Sequence, residues 1–302
     1  MRNKLIFSNT SAKILSKKVA KEANSDLGRI ALQKFSSNEI YVEFLENVAD
    51  REIYIIGTAG ENPNDDVMEI LLMIDAAKRA FAKQIHLILP YFPYCRQDKK
   101  FSKPSPISAS LMARMFEMAG ASTLFTITLH DPCIEGYFSI PTKHIYTDDL
   151  FGNYFKSKNI KNPVLVAPDE GAAKWVSAFA KRFGFDYAIV NKMRPEKQKS
   201  PMMDIIGDVK GKTAILFDDI VDTGSTLIQL KKSLLAAGVD KNVYVAVTHP
   251  VLGGPGKKNV ARARFKEFIA TDTIPLPMKK RFRGLKILSV AGVIADYINY
   301  SN

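Results

Sequence analysis

The chain has 302 residues, 46% of them hydrophobic, and a formal net charge of +12, a size and composition that suit two globular domains and exclude disordered or collagen-like classes. Two cysteines, Cys95 and Cys133, are too few for a disulfide framework or a cysteine zinc site. No stretch has the length of a membrane span or the form of a secretory leader, so a cytoplasmic protein with no membrane partner is expected.

In chain order, Lys4 to Phe7 predicts a strand and Ser8-Asn9-Thr10-Ser11 a capping turn into a helix that runs toward Ala23. Gly28 to Phe35 predicts a second strand, Ser36 to Glu39 a polar turn, and Glu52 to Ile56 a third, buried strand. Asn64-Asp65-Asp66 caps a long helix with Val67, Ile70, Leu71 and Ile74 on one face. Gln84 to Leu89 follows as a strand and leads into the loop Pro90 to Lys100. The next helix carries Ile107, Leu111 and Met115, with Met112, Met115 and Met118 expected in the core rather than at a cofactor. Ser122 to Leu129 is a strand ending at His130. This alternation marks a parallel sheet wrapped by helices.

Thr147-Asp148-Asp149 caps a new helix, and a domain boundary is expected between residues 145 and 150. The second half repeats the plan: strand Val164 to Ala167, turn Pro168 to Gly171, a helix with Val176, Phe179 and Phe183, and strand Tyr187 to Val190. Asn191 to Ser200 is polar, basic and aperiodic, and reads as a mobile loop. Gly211 to Leu227, GKTAILFDDIVDTGSTL, is the most informative stretch. Ala214 to Phe217 predicts a buried strand that ends on Asp218 and Asp219, and Asp222-Thr223-Gly224-Ser225-Thr226 supplies hydroxyls, a permissive glycine and free N–H groups at the start of a helix with Leu227, Leu230 and Leu234 inward. Donors at a helix start suit a phosphate, and two acids beside them suit neighbouring sugar hydroxyls, so ribose 5-phosphate fits both parts. The plainer alternative is a capped strand-to-helix turn, which needs no acid pair. Strands Val243 to Thr248 and Phe268 to Ala270 and a helix from Val290 to Ile298 complete the chain. The 90–100 loop is expected to occupy the place in the first half that the cradle occupies in the second.

The cradle resembles the phosphoribosyl-binding loop of the phosphoribosyltransferase fold. Together with the Arg96-Gln97-Asp98 loop, His130 and the Lys192/Arg194 segment, and with PNDDVMEILLMIDAAKRA, PISASLMARM and TDTIPLPM in order, the chain resembles the ribose-phosphate pyrophosphokinase family from Leu5 to Ile298. The resemblance implies an α/β protein of two similar phosphoribosyltransferase-like domains, each a mainly parallel sheet flanked by helices. Residues 1–147 would form the N-terminal domain with the ATP-binding loop, and 148–302 the C-terminal domain with the ribose 5-phosphate site, the last helix being free to pack back on the first domain. It implies an Mg²⁺-dependent enzyme that transfers the β,γ-diphosphoryl group of ATP to the C1 hydroxyl of ribose 5-phosphate.

By the same resemblance Asp218 and Asp219 would hold ribose hydroxyls, and Asp222, Thr223, Gly224, Ser225 and Thr226 the 5-phosphate. Arg96 and Gln97 would bind ATP, with Phe35, Ser37 and Glu39 contributed by a neighbouring subunit, so a homo-oligomer is expected. His130 and Asp169 match Mg²⁺-linked positions, with His130 also counted as catalytic, and Lys192 and Arg194 match the transition-state cations. Ser37 stands where the family usually has an acid that meets adenine, which bears on nucleotide selectivity; Thr128, Ser139 and Lys143 replace acids around His130, which implies fewer carboxylates and weaker metal binding there; and Ala172 replaces a glycine of the second ribose-contacting turn. Ala49 in place of a phosphate-binding arginine, and an end at Asn302 without a serine-containing tail, imply activity independent of phosphate as activator. The alternatives are a catalytically weak or inactive subunit associated with active synthetases, and a phosphoribosyltransferase. Lys and Arg are spread along the chain without a recognisable nucleic-acid module, so no nucleic-acid partner is expected.

Overall fold

The computed structural model describes residues 4–100, 104–193 and 202–300. The chain divides into two compact units, one formed by Met1–Tyr146, Asp272–Pro275 and Ser289–Asn302, the other by Thr147–Thr271 and Leu276–Leu288. The division is not contiguous because two short later segments find their partners in the first sheet. Thr58 donates to the Thr273 carbonyl at 2.6 Å, and Tyr297 lies against Phe125 with ring centroids 4.5 Å apart.

The first unit holds β1 (Lys4–Ser8), α1 (Lys13–Glu22), β2 (Ile30–Lys34), β3 (Ile40–Phe44), β4 (Glu52–Ile56), α2 (Pro63–Arg79), β5 (Gln84–Leu89), α3 (Ser108–Ala119), β6 (Thr123–Ile127) and β7 (Thr142–Ile145). Its sheet has the order β1-β4-β5-β6-β7, all parallel, and its central strands are apolar on both faces, as a sheet covered by helices requires. The second expected strand lies outside this sheet. β2 instead pairs antiparallel with β3 as a separate hairpin, and in β3 the alternation of Ile40, Val42 and Phe44 is the period-2 signal that the sequence reading passed over. The final helix, α8 (Ala291–Tyr300), belongs to this unit, with the Asp272 carboxylate accepting from the Val290 N–H at 2.8 Å just before its first turn.

The second unit holds α4 (Asp148–Ser157), β8 (Pro163–Ala167), α5 (Glu170–Phe183), β9 (Asp186–Met193), β10 (Met202–Ile206), β11 (Thr213–Val221), α6 (Ser225–Ala236), β12 (Tyr244–Pro250), α7 (Gly256–Ala263), β13 (Phe268–Thr271) and β14 (Leu285–Leu288). Its sheet runs β10-β9-β8-β11-β12-β13-β14, parallel except for β10 against β9. One apolar layer gathers Val176, Phe179, Ile215 and Phe217. The other gathers Leu216, Leu227, Leu230, Leu234 and Val260.

Several expectations change. Asn191 to Met193 is strand rather than loop, paired by register with Met202 to Asp204, because the apolar run of 187–190 continues into a hairpin. β11 does not stop at Phe217: Asp218 and Asp219 lie inside it, Asp218 beside Val247 of β12. β12 runs on to Pro250, past the expected end at Thr248. On α3 the buried positions are Ala109, Met112, Ala113 and Phe116, whereas Leu111 and Met118 are exposed, so the helix turns a smaller-residue face inward than expected. The topological counterpart of the cradle-bearing strand β11 is β4, not β5, since β4 lies beside β1 and β11 beside β8 in the matching orders β1-β4-β5-β6-β7 and β8-β11-β12-β13-β14. The cradle therefore corresponds to the 57–62 loop, and the 90–100 loop to the turn after β12.

Candidate functional site

In the second unit, parallel β11 and β8 bring the acids together. Asp169 precedes α5, and its carboxylate accepts from the Ala172 N–H at 3.2 Å, so it caps that helix. Asp218 accepts from the Asp219 N–H at 3.0 Å. Burial, then the charges of Asp219 and Asp169, hold the Asp218 carboxyl well above the ordinary carboxylate range. Residues 49 or 50 apart in sequence thus form one acidic pocket floor, a crowding that proteins keep chiefly where a cation or a hydrogen-bonding ligand repays it.

The loop that follows is shaped by α7. Gly224 stands at the start of α6 with φ +69°, where a Cβ would come within 2.8 Å of a Val260 methyl. A side chain is therefore excluded on two grounds. Gly256 allows a closer approach still: a Cβ there would sit 2.2 Å from the Asp222 carbonyl oxygen. The Asp222 carboxylate accepts from the Gly253 N–H at 3.1 Å, and Asn259 donates to the Thr223 carbonyl at 2.8 Å. Thr223 and Ser225 are exposed, their hydroxyls 3.0 Å apart, and the first turn of α6 has no acid. The result is a braced loop whose hydroxyls are exposed at the positive end of a helix, an arrangement that suits an anion. Gly253, Gly256 and Asn259 were not singled out from sequence, although the Gly253-Gly254-Pro255-Gly256 run was visible and signals close backbone approach. Lys231 stiffens the same support by donating to the carbonyls of Ala263 and Arg264 at the far end of α7, both at 2.8 Å. Lys192 lies in β9, opposite Met203, and Arg194 falls outside the described residues.

In the first unit Arg96 is exposed, between buried Cys95 and the exposed Gln97. Gln97 is held at the entry to α3: its carbonyl accepts from the Ala109 N–H at 3.2 Å, and its side-chain oxygen accepts from the Ser108 hydroxyl. Asp98 is buried, and Tyr137 donates to its carbonyl. Lys99 lies 3.4 Å from the Asp98 carboxylate and 3.5 Å from that of Asp131, next to His130. The Arg96-Gln97 loop and the His130 segment are therefore linked. Asp131 is held below the ordinary carboxylate range, first by the Cys133 N–H, and Lys99 is held above the usual lysine range, first by Asp98.

His130 is exposed, and the backbone before it is bent and braced. Thr128 has φ +44°, a region a β-branched residue rarely adopts, and its N–H donates to the Ile145 carbonyl at 2.7 Å. The Leu129 N–H donates to His144 Nε2 at 3.0 Å, which places the His144 proton on Nδ1. The sequence offered no role for His144, since only the pairing of β6 with β7 brings it under this bend. Phe35, Ser37 and Glu39 lie around the tip of the β2–β3 hairpin: Phe35 is 56% exposed, and Ser37 donates to Glu39 at 2.7 Å.

A donor loop at a helix start, beside strand acids, on a parallel sheet of this order defines a protein of the phosphoribosyltransferase-like α/β class, here with two such domains. Residues 4–120 match the family described as the N-terminal domain of ribose phosphate pyrophosphokinase, and residues 189–300 match the phosphoribosyl synthetase-associated domain. A ribose-phosphate pyrophosphokinase of Bacillus subtilis (strain 168) is 38% identical over 297 residues, spanning 98% of this chain and 93% of the relative. One from Helicobacter hepaticus is 39% identical over 298 residues, spanning 99% and 96%. The crystal structure of phosphoribosylpyrophosphate synthetase from Mycobacterium smegmatis superposes with a TM-score of 0.94 at 35% identity, covering 99% of this chain and 98% of that one. The chain belongs to the ribose-phosphate pyrophosphokinase family.

Proposed function

We infer that the protein is a ribose-phosphate diphosphokinase: the C1 hydroxyl oxygen of ribose 5-phosphate attacks the β-phosphorus of ATP, the bond from that phosphorus to the α-phosphate oxygen breaks, the hydroxyl proton is lost, and phosphoribosyl pyrophosphate and AMP leave. The observation that carries this reading is the outward-facing donor loop beside the Asp169, Asp218 and Asp219 carboxylates. Thr223, Gly224, Ser225 and Thr226 bind the 5-phosphate through hydroxyls and first-turn N–H groups. Asp222 is spent mainly on bracing, since its carboxylate already accepts from Gly253 and would repel a phosphate. Asp218 and Asp219 hold the ribose hydroxyls and orient C1.

Arg96 and Gln97 hold ATP, with Phe35, Ser37 and Glu39 of a second subunit against the nucleotide; the exposed hairpin tip supports a homo-oligomer. Lys192 and Arg194 neutralise the charge that builds on the transferring phosphoryl oxygens. Among the described residues no three His, Cys, Asp or Glu form a cage for a metal ion. The carboxylates of Asp169, Asp218 and Asp219 in the second unit are hard oxygen donors of the kind Mg²⁺ takes while it keeps several waters and is shared with substrate phosphates, and His130 in the first unit is the other residue that the family resemblance links to the ion. When bound, Mg²⁺ supplies charge neutralisation on the diphosphoryl oxygens. Among the described residues no helix is long and apolar enough to cross a membrane, which accords with a cytoplasmic enzyme. The reading is tested by incubating the protein with Mg²⁺-ATP and ribose 5-phosphate in phosphate-free buffer: AMP and phosphoribosyl pyrophosphate are expected in equal amounts without added phosphate, and absence of both sinks it.

A further inference from the structure

Between Gly256 and Leu288 the chain carries ten Lys and Arg against two acids, Glu267 and Asp272, and so holds most of the net charge of +12. Both acids are already engaged. Glu267 accepts from Tyr154 at 2.6 Å and Lys158 at 2.9 Å, and Asp272 accepts from Lys18, Ser289 and the Val290 N–H.

Packing gathers many of these cations on one face of the second unit. Val260 and Phe268 sit in a single apolar layer with Phe265, Phe282 and Leu285 packed against it, Phe268 and Phe282 meet edge to face at 5.6 Å, and Lys257 donates to the Lys279 carbonyl at 2.5 Å. α7 therefore lies alongside the 276–285 segment. Gly256 and Val260 are the buried positions of α7, which leaves Lys258 and Arg262, one turn apart, exposed on its outer side. Arg264 is exposed at its end, and Arg281 and Arg283 are exposed on either side of Phe282.

Elsewhere in the same unit some cations are matched, while others, such as Lys161, Lys174 and Lys232, stand singly rather than in a cluster. Lys212 pairs with Asp186 and Asp208 at 2.8 and 3.0 Å, and Arg182 with Asp149 at 2.6 Å. Among the described residues Lys258, Arg262, Arg264, Arg281 and Arg283 make no ion pair.

We propose that this face binds the phosphodiester backbone of nucleic acid without reading its bases. Four of the five unmatched cations are arginines, whose fork of donors suits phosphate oxygens. Lys258 to Arg262 spans about 5–6 Å along a helix, and Arg281 to Arg283 about 6–7 Å on extended chain, steps comparable to those between successive phosphates of a strand. Phe265 and Phe282 are turned into the core, so the face offers no stacking platform, and recognition is by charge and backbone shape. An anionic membrane is the weaker fit, because Met278 is the one large apolar side chain exposed on this face among the described residues, and surface insertion needs a broader apolar strip.

The test uses the full chain and fluorescence anisotropy of a labelled single-stranded RNA of mixed sequence, across a salt series. Saturable binding is expected, with log K falling linearly against log salt. The variant Arg262→Glu/Arg281→Glu/Arg283→Glu should lose at least about tenfold in affinity and flatten that slope, with diphosphoryl transfer unchanged. Lys13→Glu/Lys17→Glu/Lys21→Glu, which alters net charge equally on α1, should retain binding. Equal loss in both variants would mean net charge alone and overturns the proposal, as does absence of saturable binding by the wild type or tighter binding to phosphatidylserine vesicles than to RNA. Should the Glu variant melt early, Arg262→Gln/Arg281→Gln/Arg283→Gln gives the same comparison with less repulsion, and undiminished RNA affinity there also overturns it.

Discussion

The loops after β4 and β11 stand at the same point of the five-strand parallel order that the two sheets share, yet one is closed by the protein itself and the other is left open. After β4, the Gly60 N–H donates to the Asp66 carboxylate at 2.7 Å, Asn9 donates to the same carboxylate at 3.1 Å, and the Asn9 side-chain oxygen accepts from Thr58 and Ala12 N–H groups. Asn9 and Asp66 are buried. After β11 the hydroxyls of Thr223 and Ser225 are exposed. The first turn of α2 contains Asp65 and Asp66, whereas that of α6 contains no acid. In one half an internal carboxylate satisfies the kind of donors that the other half leaves open and, on the proposed reading, offers to a ligand phosphate. A shared scaffold thus becomes a binding site where the chain withholds its own anion.

Within the open half, the largest effect is expected from the cations proposed to act only at the transition state. Lys192→Ala should lower kcat by about 10²–10³-fold with little change in KM for ribose 5-phosphate, as for loss of one preorganised donor. Near wild-type turnover would remove Lys192 from the mechanism. Thr223→Ala/Ser225→Ala should do the reverse, raising KM for ribose 5-phosphate by about tenfold or more with a smaller loss in kcat. An unchanged KM would show that the open loop is not the phosphate site.

Asp66→Ala probes the closed half. It strands the Gly60 and Asn9 donors at about 1–3 kcal/mol each, so urea titration should show lowered stability while KM for ribose 5-phosphate is unchanged at temperatures where the variant is folded. Loss of ribose 5-phosphate affinity instead would mean the two loops share a function.

Asp218→Asn sharpens the contrast between activity and stability. Because burial and the Asp219 and Asp169 charges raise the folded-state pKa, protonated Asp218 is the form that suits folding, and that advantage is lost as pH rises through the raised value. Asn should therefore raise Tm above that pH, lower activity, and leave Tm nearly unchanged below the ordinary carboxylate range. A Tm lowered at neutral pH would contradict this sign. The smallest effect concerns the brace before His130. His144→Leu should lower kcat several-fold, whereas His144→Gln, which keeps an acceptor for the Leu129 N–H, should recover most of it; equal loss in both would exclude that hydrogen bond as the cause.

Much of the proposed site was legible as candidates because it lies in contiguous motifs. Asp218 to Thr226, Arg96-Gln97 and the alternation of apolar strands with helices of period 3.6 each carry their meaning within a few residues. What the sequence hid is pairwise. The hairpin partner of β2 depends on β3 finding it, and the inward face of α3 was set by Phe116 rather than by Leu111. The role of His144 exists only because β7 runs beside β6.

The chain by itself determined a parallel α/β architecture and the donor loop proposed to hold a sugar phosphate, since hydrophobic period and local donor spacing are short-range properties. The tertiary structure decided which of two equivalent loops is open, because that depends on whether a carboxylate from the next helix reaches back to the loop's N–H groups. It also set the exposed cations of the basic 256–288 stretch on one face, through apolar contacts of Val260, Phe265 and Phe282 that carry no charge of their own.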